Sequence, residues 1–399
     1  MPEVDRLLGG GLVPGSSLLL GGEPGIGKST LVLQIASSVA AQPSGSTVLY
    51  ATAEESAAQL QLRAERLGLT DGDAGRALQV MAATDVDSII AAARQAEPGL
   101  LVVDSISTVR LDGLDGPPGS VGQVRESALR LGEFARDADV PILLVGHVTK
   151  DGSLAGPRTL EHLVDAVLML EGDRYATLRL LRSLKNRHGS TEEIGVLEMS
   201  SAGMVQVTDA SAAFLGEGRR EAPGVAVAAV LEGTRPLLVE VQALVASAAA
   251  GSPRRTVSGI DSNRLALLIA VLARRGGIDV SGRDVYATLA GGLTASEPAL
   301  DLALAMALAS SRQDRSLQPD MLVLGEVSLL GEVRPIRGLE RRLREASRMG
   351  FRRALVPHGP KAVGPGEGPA EEGHLELITV STLTEALRRG FEAQTGTTG

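Results

Sequence analysis

The chain has 399 residues, 44% hydrophobic and 22% charged, with a formal net charge of −9, the profile of an ordinary globular protein of two or three domains. It holds no cysteine and no tryptophan, which excludes disulfides, thiolate-held zinc, iron–sulfur clusters and a cysteine nucleophile. Five scattered histidines argue against a histidine metal site; no apolar run approaches the roughly 20 residues of a membrane span, and the start MPEVDRLLGG lacks the basic-then-apolar order of a secretion signal, so a cytoplasmic protein is expected.

In chain order, Ser17–Gly21, Thr47–Ala51, Leu100–Asp104 and Ile142–Gly146 read as buried strands. Between them Ser29–Ala41, Ser56–Leu67, Val86–Ala96 and Val121–Asp139 carry apolar residues at helical spacing. Strands alternating with helices predict an α/β fold built on a parallel sheet covered on both faces. Ala166–Glu171, Ala176–Ser183, Gly195–Ser200 and Gly203–Val207 then read as a meander closing a first domain of residues 1–210. A Gly/Pro/Arg-rich linker is expected at 211–224. The second domain, 225–399, opens with strands Val225–Leu231 and Leu237–Ala246. Helices follow at Ser262–Arg275, Glu297–Ser310 and Gly338–Gly350, then a loop at Pro357–Gly373 and a strand-to-helix segment at Thr379–Arg389. The acidic excess belongs to the first domain; the second is nearly neutral.

Only four lysines, Lys28, Lys150, Lys185 and Lys361, stand against thirty-five arginines, so each marks a place where a compact ammonium is worth testing for a role. The first lies in Gly22-Glu23-Pro24-Gly25-Ile26-Gly27-Lys28-Ser29, followed by Thr30, a phosphate loop between an apolar strand and an amphipathic helix. Glycines there let backbone amides turn toward phosphate oxygens, and the helix adds its positive N-terminal end. Lys28 is expected to reach the β- and γ-phosphates of ATP and the Ser29 hydroxyl to ligate Mg2+, with Asp104, ending an apolar strand, as the acid on the metal side. Ser105, next in the chain, is expected to assist it with its hydroxyl. Either Glu54 or Glu55 faces the γ-phosphate if its strand neighbours the phosphate-loop strand; Glu54 is chosen as the residue that orients water. His147, after the fourth strand, is assigned to sense the γ-phosphate and pass its state to the loop 151–157.

These motifs resemble those of the bacterial RadA (Sms) family of DNA repair proteins. The resemblance runs through Leu8-Gly-Gly-Gly11, Val13-Pro14-Gly15, the phosphate loop, Glu54-Glu55-Ser56, Val145–Lys150, Ala155–Arg158 and Leu184–Gly189. It implies a RecA-like P-loop ATPase core followed by an α+β Lon-protease-like (S5-like) domain. It also implies DNA-stimulated ATP hydrolysis driving branch migration on single-stranded and branched DNA, in a homo-oligomeric, hexameric ring beside RecA, with no membrane partner. Lys185-Asn186-Arg187-His188-Gly189 is similar to the family's Lys-Asn-Arg-Phe-Gly signature; Lys185 and Arg187 are then expected to act catalytically on a neighbouring subunit's nucleotide, with His188 at the aromatic position. The family's four-cysteine zinc ribbon has no counterpart in these cysteine-free residues, so no zinc site is expected.

In the second domain, Ala299 stands at the serine of the Lon-type nucleophile turn and Glu340 at its lysine base, so a Ser–Lys dyad is absent and proteolysis is excluded from the reading. Arg341, Arg344 and Arg348 form a helical stripe suited to duplex phosphates, with Arg254 and Arg255 weaker candidates. Lys150 and Arg158 are assigned to a channel for single strands. With 2% aromatic residues a base-stacking platform is not expected. The alternative is a KaiC-like regulatory ATPase switch acting on proteins.

Overall fold

A computed structural model describes residues 1–42, 46–70, 72–147, 158–172, 177–215, 222–248, 252–359 and 375–391. The chain divides into two units, Met1–Thr208 and Asp209–Gly399. No helix among the described residues is long and apolar enough to cross a membrane.

The first unit runs α1 (Pro2–Leu7), β1 (Ser17–Gly22), α2 (Lys28–Ala40), β2 (Val48–Thr52), α3 (Ala57–Arg66), α4 (Gly72–Ala77), β3 (Leu78–Ala82), α5 (Val86–Ala96) and β4 (Leu100–Asp104). It continues with α6 (Val121–Ala138), β5 (Ile142–Val145), α7 (Arg158–Leu163), β6 (Ala166–Glu171), β7 (Leu178–Asn186), β8 (Ile194–Ser200) and β9 (Gly203–Gln206). All nine strands form one sheet, ordered β3-β2-β4-β5-β1-β6-β7-β8-β9. The strands from β3 to β6 are parallel, and β6 to β9 is an antiparallel meander.

Alternate strand residues enter two separate cores. Leu18, Leu20, Val48, Tyr50, Leu100 and Val102 pack under α2 and α3, whereas Leu19, Leu49, Ala51, Leu101 and Val103 pack under α5, α6 and α7. Both faces being dry, the strands read as continuous apolar runs. The helices begin where polar side chains satisfy free amides: Ser56 and Gln59 form a capping box on α3, and Asp85 accepts from the Ser88 amide on α5. β2 is separated from β1 by β4 and β5, so the adjacency on which the Glu54 reading is conditioned does not occur. α1, α4 and β3 have no strong sequence pattern; β3 is a half-exposed edge strand.

The second unit starts earlier than the sequence pattern suggests. Ala210–Leu215, taken above as the approach to and start of the linker, is helix α8, with Ala210, Ser211 and Phe214 buried. Residues 216–221 of the expected linker lie outside the described residues. There follow β10 (Val225–Glu232), β11 (Arg235–Ser247), β12 (Arg255–Ser258), α9 (Ser262–Val271), β13 (Arg283–Leu289), α10 (Asp301–Gln313) and β14 (Met321–Val323). The chain closes with β15 (Glu326–Val327), β16 (Val333–Arg334), α11 (Leu339–Arg348), β17 (Arg353–Pro357), β18 (Glu376–Val380) and α12 (Leu383–Phe391). Seven strands form a mixed sheet, β12-β13-β11-β10-β14-β17-β18, and β15 and β16 form a small hairpin. α10 is buried from Asp301 to Ser310 and packs on β10 and β11.

Two arginines, buried Arg342 and half-buried Arg264, tie this unit together. Arg342, 1% exposed, donates to both carboxylate oxygens of Glu297 at 2.9 and 2.6 Å and to the carbonyls of Ala229 and Arg337. Arg264 holds Asp301 with two donors, and the Val327 amide adds a third at 3.0 Å. Burial still pushes the Asp301 carboxyl above its usual range, against the pull of Arg264 and Val327. An ion pair that loses one partner leaves a desolvated charge behind, which costs far more than a surface pair. Arg342→Ala is therefore expected to destabilise this unit by about 3 kcal/mol in urea unfolding. A loss below about 1 kcal/mol would mean that Glu297 is well solvated without its partner.

Candidate nucleotide site

The loops after β1, β2, β4 and β5 all leave the same, carboxyl edge of the parallel sheet, where ligands of open α/β sheets bind. Gly22 ends β1, Glu23–Gly27 form the turn, and Lys28, Ser29 and Thr30 make the first turn of α2. Two glycines are obligatory for steric reasons. A Cβ on Gly22 would meet the Leu170 carbonyl at 2.7 Å; Gly27 takes φ +113°, a conformation strained for any residue with a Cβ. Lys28 is 4% exposed, and its Nζ donates to the Gly22 and Glu23 carbonyls at 2.9 and 3.0 Å. Burial lowers its ammonium pKa, opposed by the charges of Asp104 and Glu54.

Asp104 is buried at the end of β4. Its Oδ2 accepts a 2.7 Å hydrogen bond from Tyr50, and its Oδ1 has no partner among the described residues. Burial raises its pKa, against the hydroxyls of Tyr50 and Ser29. Glu54 follows β2, where the Ala53 amide still bonds the Asp104 carbonyl at the end of β4, and its side chain reaches the ends of β4 and β5. Its Oε1 accepts from the Ser105 hydroxyl and lies 2.8 Å from His147 Nε2. The His147 hydrogen bond, followed by those of Ser105 and the charge of Lys28, holds the Glu54 carboxyl below its usual value although burial opposes this. Glu55 points elsewhere and pairs with Arg63 at 2.6 Å.

Two residues beyond the expected set support the loop. Arg179, 5% exposed, donates from Nε to the Ile26 carbonyl at 3.1 Å; Gln34 bonds the backbone of Met204 through both ends of its amide. A lone arginine between leucines in a strand, and a tyrosine whose hydroxyl must find a partner inside an apolar strand, are the sequence signals for Arg179 and Tyr50.

The Lys185–Gly189 loop lies at the other edge. Asn186 is level with Ala166, which is level with Leu18 near the start of β1. Leu184 is the extra residue of a bulge, and Lys185 Nζ donates to the Glu161 and Val164 carbonyls at 2.7 and 2.8 Å, closing the end of α7. Desolvation and then Arg187 lower the Lys185 pKa. Arg187, with 57% of its side chain exposed, pairs with Asp165 at 3.0 Å, and Asp165 also takes the Ser17 amide and hydroxyl. Asn186 donates to the Leu7 carbonyl, and a Cβ on Gly9 would meet the His188 carbonyl at 2.8 Å, so the glycine-rich segment after α1 seats this loop.

Two of the arginines expected to contact DNA are already held in ion pairs on α11. Arg348 is held by Glu345 and Asp209, which raise its pKa, and Arg344 pairs with Glu340 at 2.9 Å. Arg341 is exposed. Arg158 begins α7; Lys150 and the loop 151–157 lie outside the described residues, as does Lys361. Ala299, 3% exposed, sits in a short 3-10 turn, and Glu340 is at the exposed start of α11.

Because the folded Glu54 carboxyl lies below its ordinary value of 4.5, it adds stability that is present above that value and lost as pH falls through the folded one. Removing the imidazole with His147→Ala should cost about 1 kcal/mol at pH 6. In unfolding measured against pH, this difference from the unaltered protein should shrink toward zero on acidification; a difference independent of pH would rule out the Glu54 contact as its source.

A family model described as an AAA domain matches residues 1–153, and one described as subunit ChlI of Mg-chelatase matches residues 263–360. The DNA repair protein RadA of Pseudomonas aeruginosa is 48% identical over 390 residues, covering 98% of this chain and 83% of that one. RadA of Bacillus subtilis is 46% identical over 388 residues, covering 97% and 82%. Among solved structures, the RadB recombinase is 23% identical over 51% of this chain and 96% of its own, with a TM-score of 0.40. With full-length similarity at this level, the chain belongs to the RadA family of DNA repair proteins.

Proposed function

We propose that this protein is a DNA-stimulated ATPase motor that drives branch migration of recombination intermediates in DNA repair, in the cytoplasm, as a ring beside RecA. The observation that carries the reading is the division of one sheet between two kinds of loop. Lys28, Asp104, Glu54 and His147 converge at the carboxyl edge, while Arg187 sits at the amino edge of the same strands. Leu18 to Gly22 spans about 13 Å at roughly 3.3 Å per residue, beyond the reach of an arginine side chain to its own phosphate loop. Arg187 then serves a neighbouring copy's nucleotide, which requires head-to-tail assembly, with six copies closing the ring. Lys185, with Nζ on two carbonyls, fixes the loop that presents Arg187.

The site fits Mg-ATP. The loop Gly22–Gly27 and the α2 N-terminus offer amides to the phosphates, and Lys28 exchanges its carbonyl partners for phosphate oxygens. Ser29 and the unpartnered Asp104 Oδ1 suit a metal and its water shell. Bound magnesium supplies positive charge against that developing on the phosphates. Glu54 uses Oε1 on Ser105 and His147, which orients its carboxylate and leaves Oε2 for a water proton. His147 links this carboxylate to the segment after β5. In the second unit Arg341 and Arg344 are the exposed cations proposed to meet DNA phosphates, with Arg348 bracing the helix. With Ala299 and Glu340 in place of a dyad, this unit serves as scaffold without peptide cleavage.

ATP hydrolysis measured with and without single-stranded DNA, beside a three-stranded branch-migration assay, tests the motor. Stimulation and strand movement are expected; absence of both would favour a regulatory switch acting on proteins. For action across copies, Lys28→Ala and Arg187→Ala should each lose about 100-fold or more in hydrolysis. Equal mixing should return roughly a quarter of the unaltered rate if subunits join head to tail at random. A mixture as inactive as its components would end the case for Arg187 acting in trans.

A further inference from the structure

The phenol of Tyr50 is buried to 0% exposure, yet its hydroxyl is not idle. Tyr50 pairs in register with Val102 on β4, so Asp104, two residues on, is its diagonal neighbour on the same face. An aromatic side chain spans that diagonal, and Tyr50 Oη donates to Asp104 Oδ2 at 2.7 Å. α2, which carries Lys28 and Ser29, covers this same face. Asp104 Oδ1 is buried without a partner among the described residues. A carboxylate rotates in a broad, roughly two-fold well, so without a fixed partner either oxygen turns toward the nucleotide. We infer that Tyr50 is a positioning residue for magnesium: by taking Oδ2 it fixes the carboxylate plane and reserves Oδ1 for the metal's water shell.

This inference rests on the reading of Asp104 as the metal-side acid and deepens it. Hydrogen-bond partners of metal-directed groups typically change metal affinity 10- to 100-fold when removed. The test is the affinity of the full chain for a fluorescent N-methylanthraniloyl ADP as magnesium is titrated, with an EDTA baseline. Tyr50→Phe keeps the ring in the core and removes the oxygen. It should raise the magnesium concentration for half-maximal tightening about tenfold and leave the EDTA affinity unchanged. Asp104→Asn should abolish the magnesium response, and Tyr50→Phe should add nothing in that background, because the two act as one unit.

An unshifted magnesium midpoint in Tyr50→Phe beside a shifted one in Asp104→Asn overturns the role of Tyr50 alone. Equal weakening with and without EDTA assigns it to packing and overturns it as well. A magnesium response that survives Asp104→Asn removes the reading of Asp104 and the inference together. Should Tyr50→Phe fail to fold, 19F NMR of 3-fluorotyrosine protein reads the hydroxyl without replacing it. Tyr175→Phe and Tyr286→Phe assign the three resonances of the chain. The Tyr50 resonance should move when magnesium joins bound ADP and stay still in Asp104→Asn; a resonance blind to magnesium overturns the inference.

Discussion

A parallel sheet covered on both faces leaves charged side chains few places to go. In the first unit the interior positions of β1, β4 and β5 are committed to two apolar cores, so functional groups collect where the strands end. Four loops leave the carboxyl edge together, and the charges there hold one another in place. Lys28 pays a desolvation cost that Asp104 and Glu54 partly offset, and His147 and Ser105 orient Glu54. The glycines follow from the tight turn: it runs so close to the Leu170 carbonyl that a side chain at Gly22 has no room, and it holds Gly27 at φ +113°.

The opposite edge obeys a different logic. There the antiparallel meander returns the chain to the start of β1, and Asp165 binds both Ser17 and Arg187. β1 thus carries a fixed contact at each end, the loop with Arg187 at one and the phosphate loop at the other. A rigid strand between two such points is a direct mechanical link between the Arg187 loop and the phosphate loop.

In the second unit the constraint is the burial of charge beside the Ala299 turn. Arg342 bonds Glu297, two residues before Ala299, and lies two residues after Glu340. Arg264 in turn neutralises Asp301, just beyond the Ala299 turn. Buried ion pairs of this kind contribute little net energy but are costly to break singly, which suits them to fixing where α10 and α11 sit.

The sequence by itself determined most strands and helices of the first unit to within a few residues, α1, α4, α7 and β3 being the exceptions, because dry strands and amphipathic helices leave strong patterns. It also singled out Lys28, Ser29, Asp104 and Glu54 as candidates, since the chemistry expected of them demands particular residue types at strand ends. The glycine-rich segment before β1 was legible as a motif, though its packing on the Lys185–Gly189 loop was not. Local pattern does not reveal which strands are neighbours: it leaves open whether β2 lies beside β1, and the sheet places two strands between them. Nor does it reveal whether a cation is free. Arg348 and Lys185 look available in the sequence, yet one is claimed by Asp209 and Glu345 and the other by two carbonyls. Likewise Tyr50 and Arg179 gain their meaning only from partners 54 and 153 residues away. Periodicity reports what a residue does for its own segment; hydrogen bonds between distant segments exist only once tertiary packing has brought donor and acceptor within 3 Å or so.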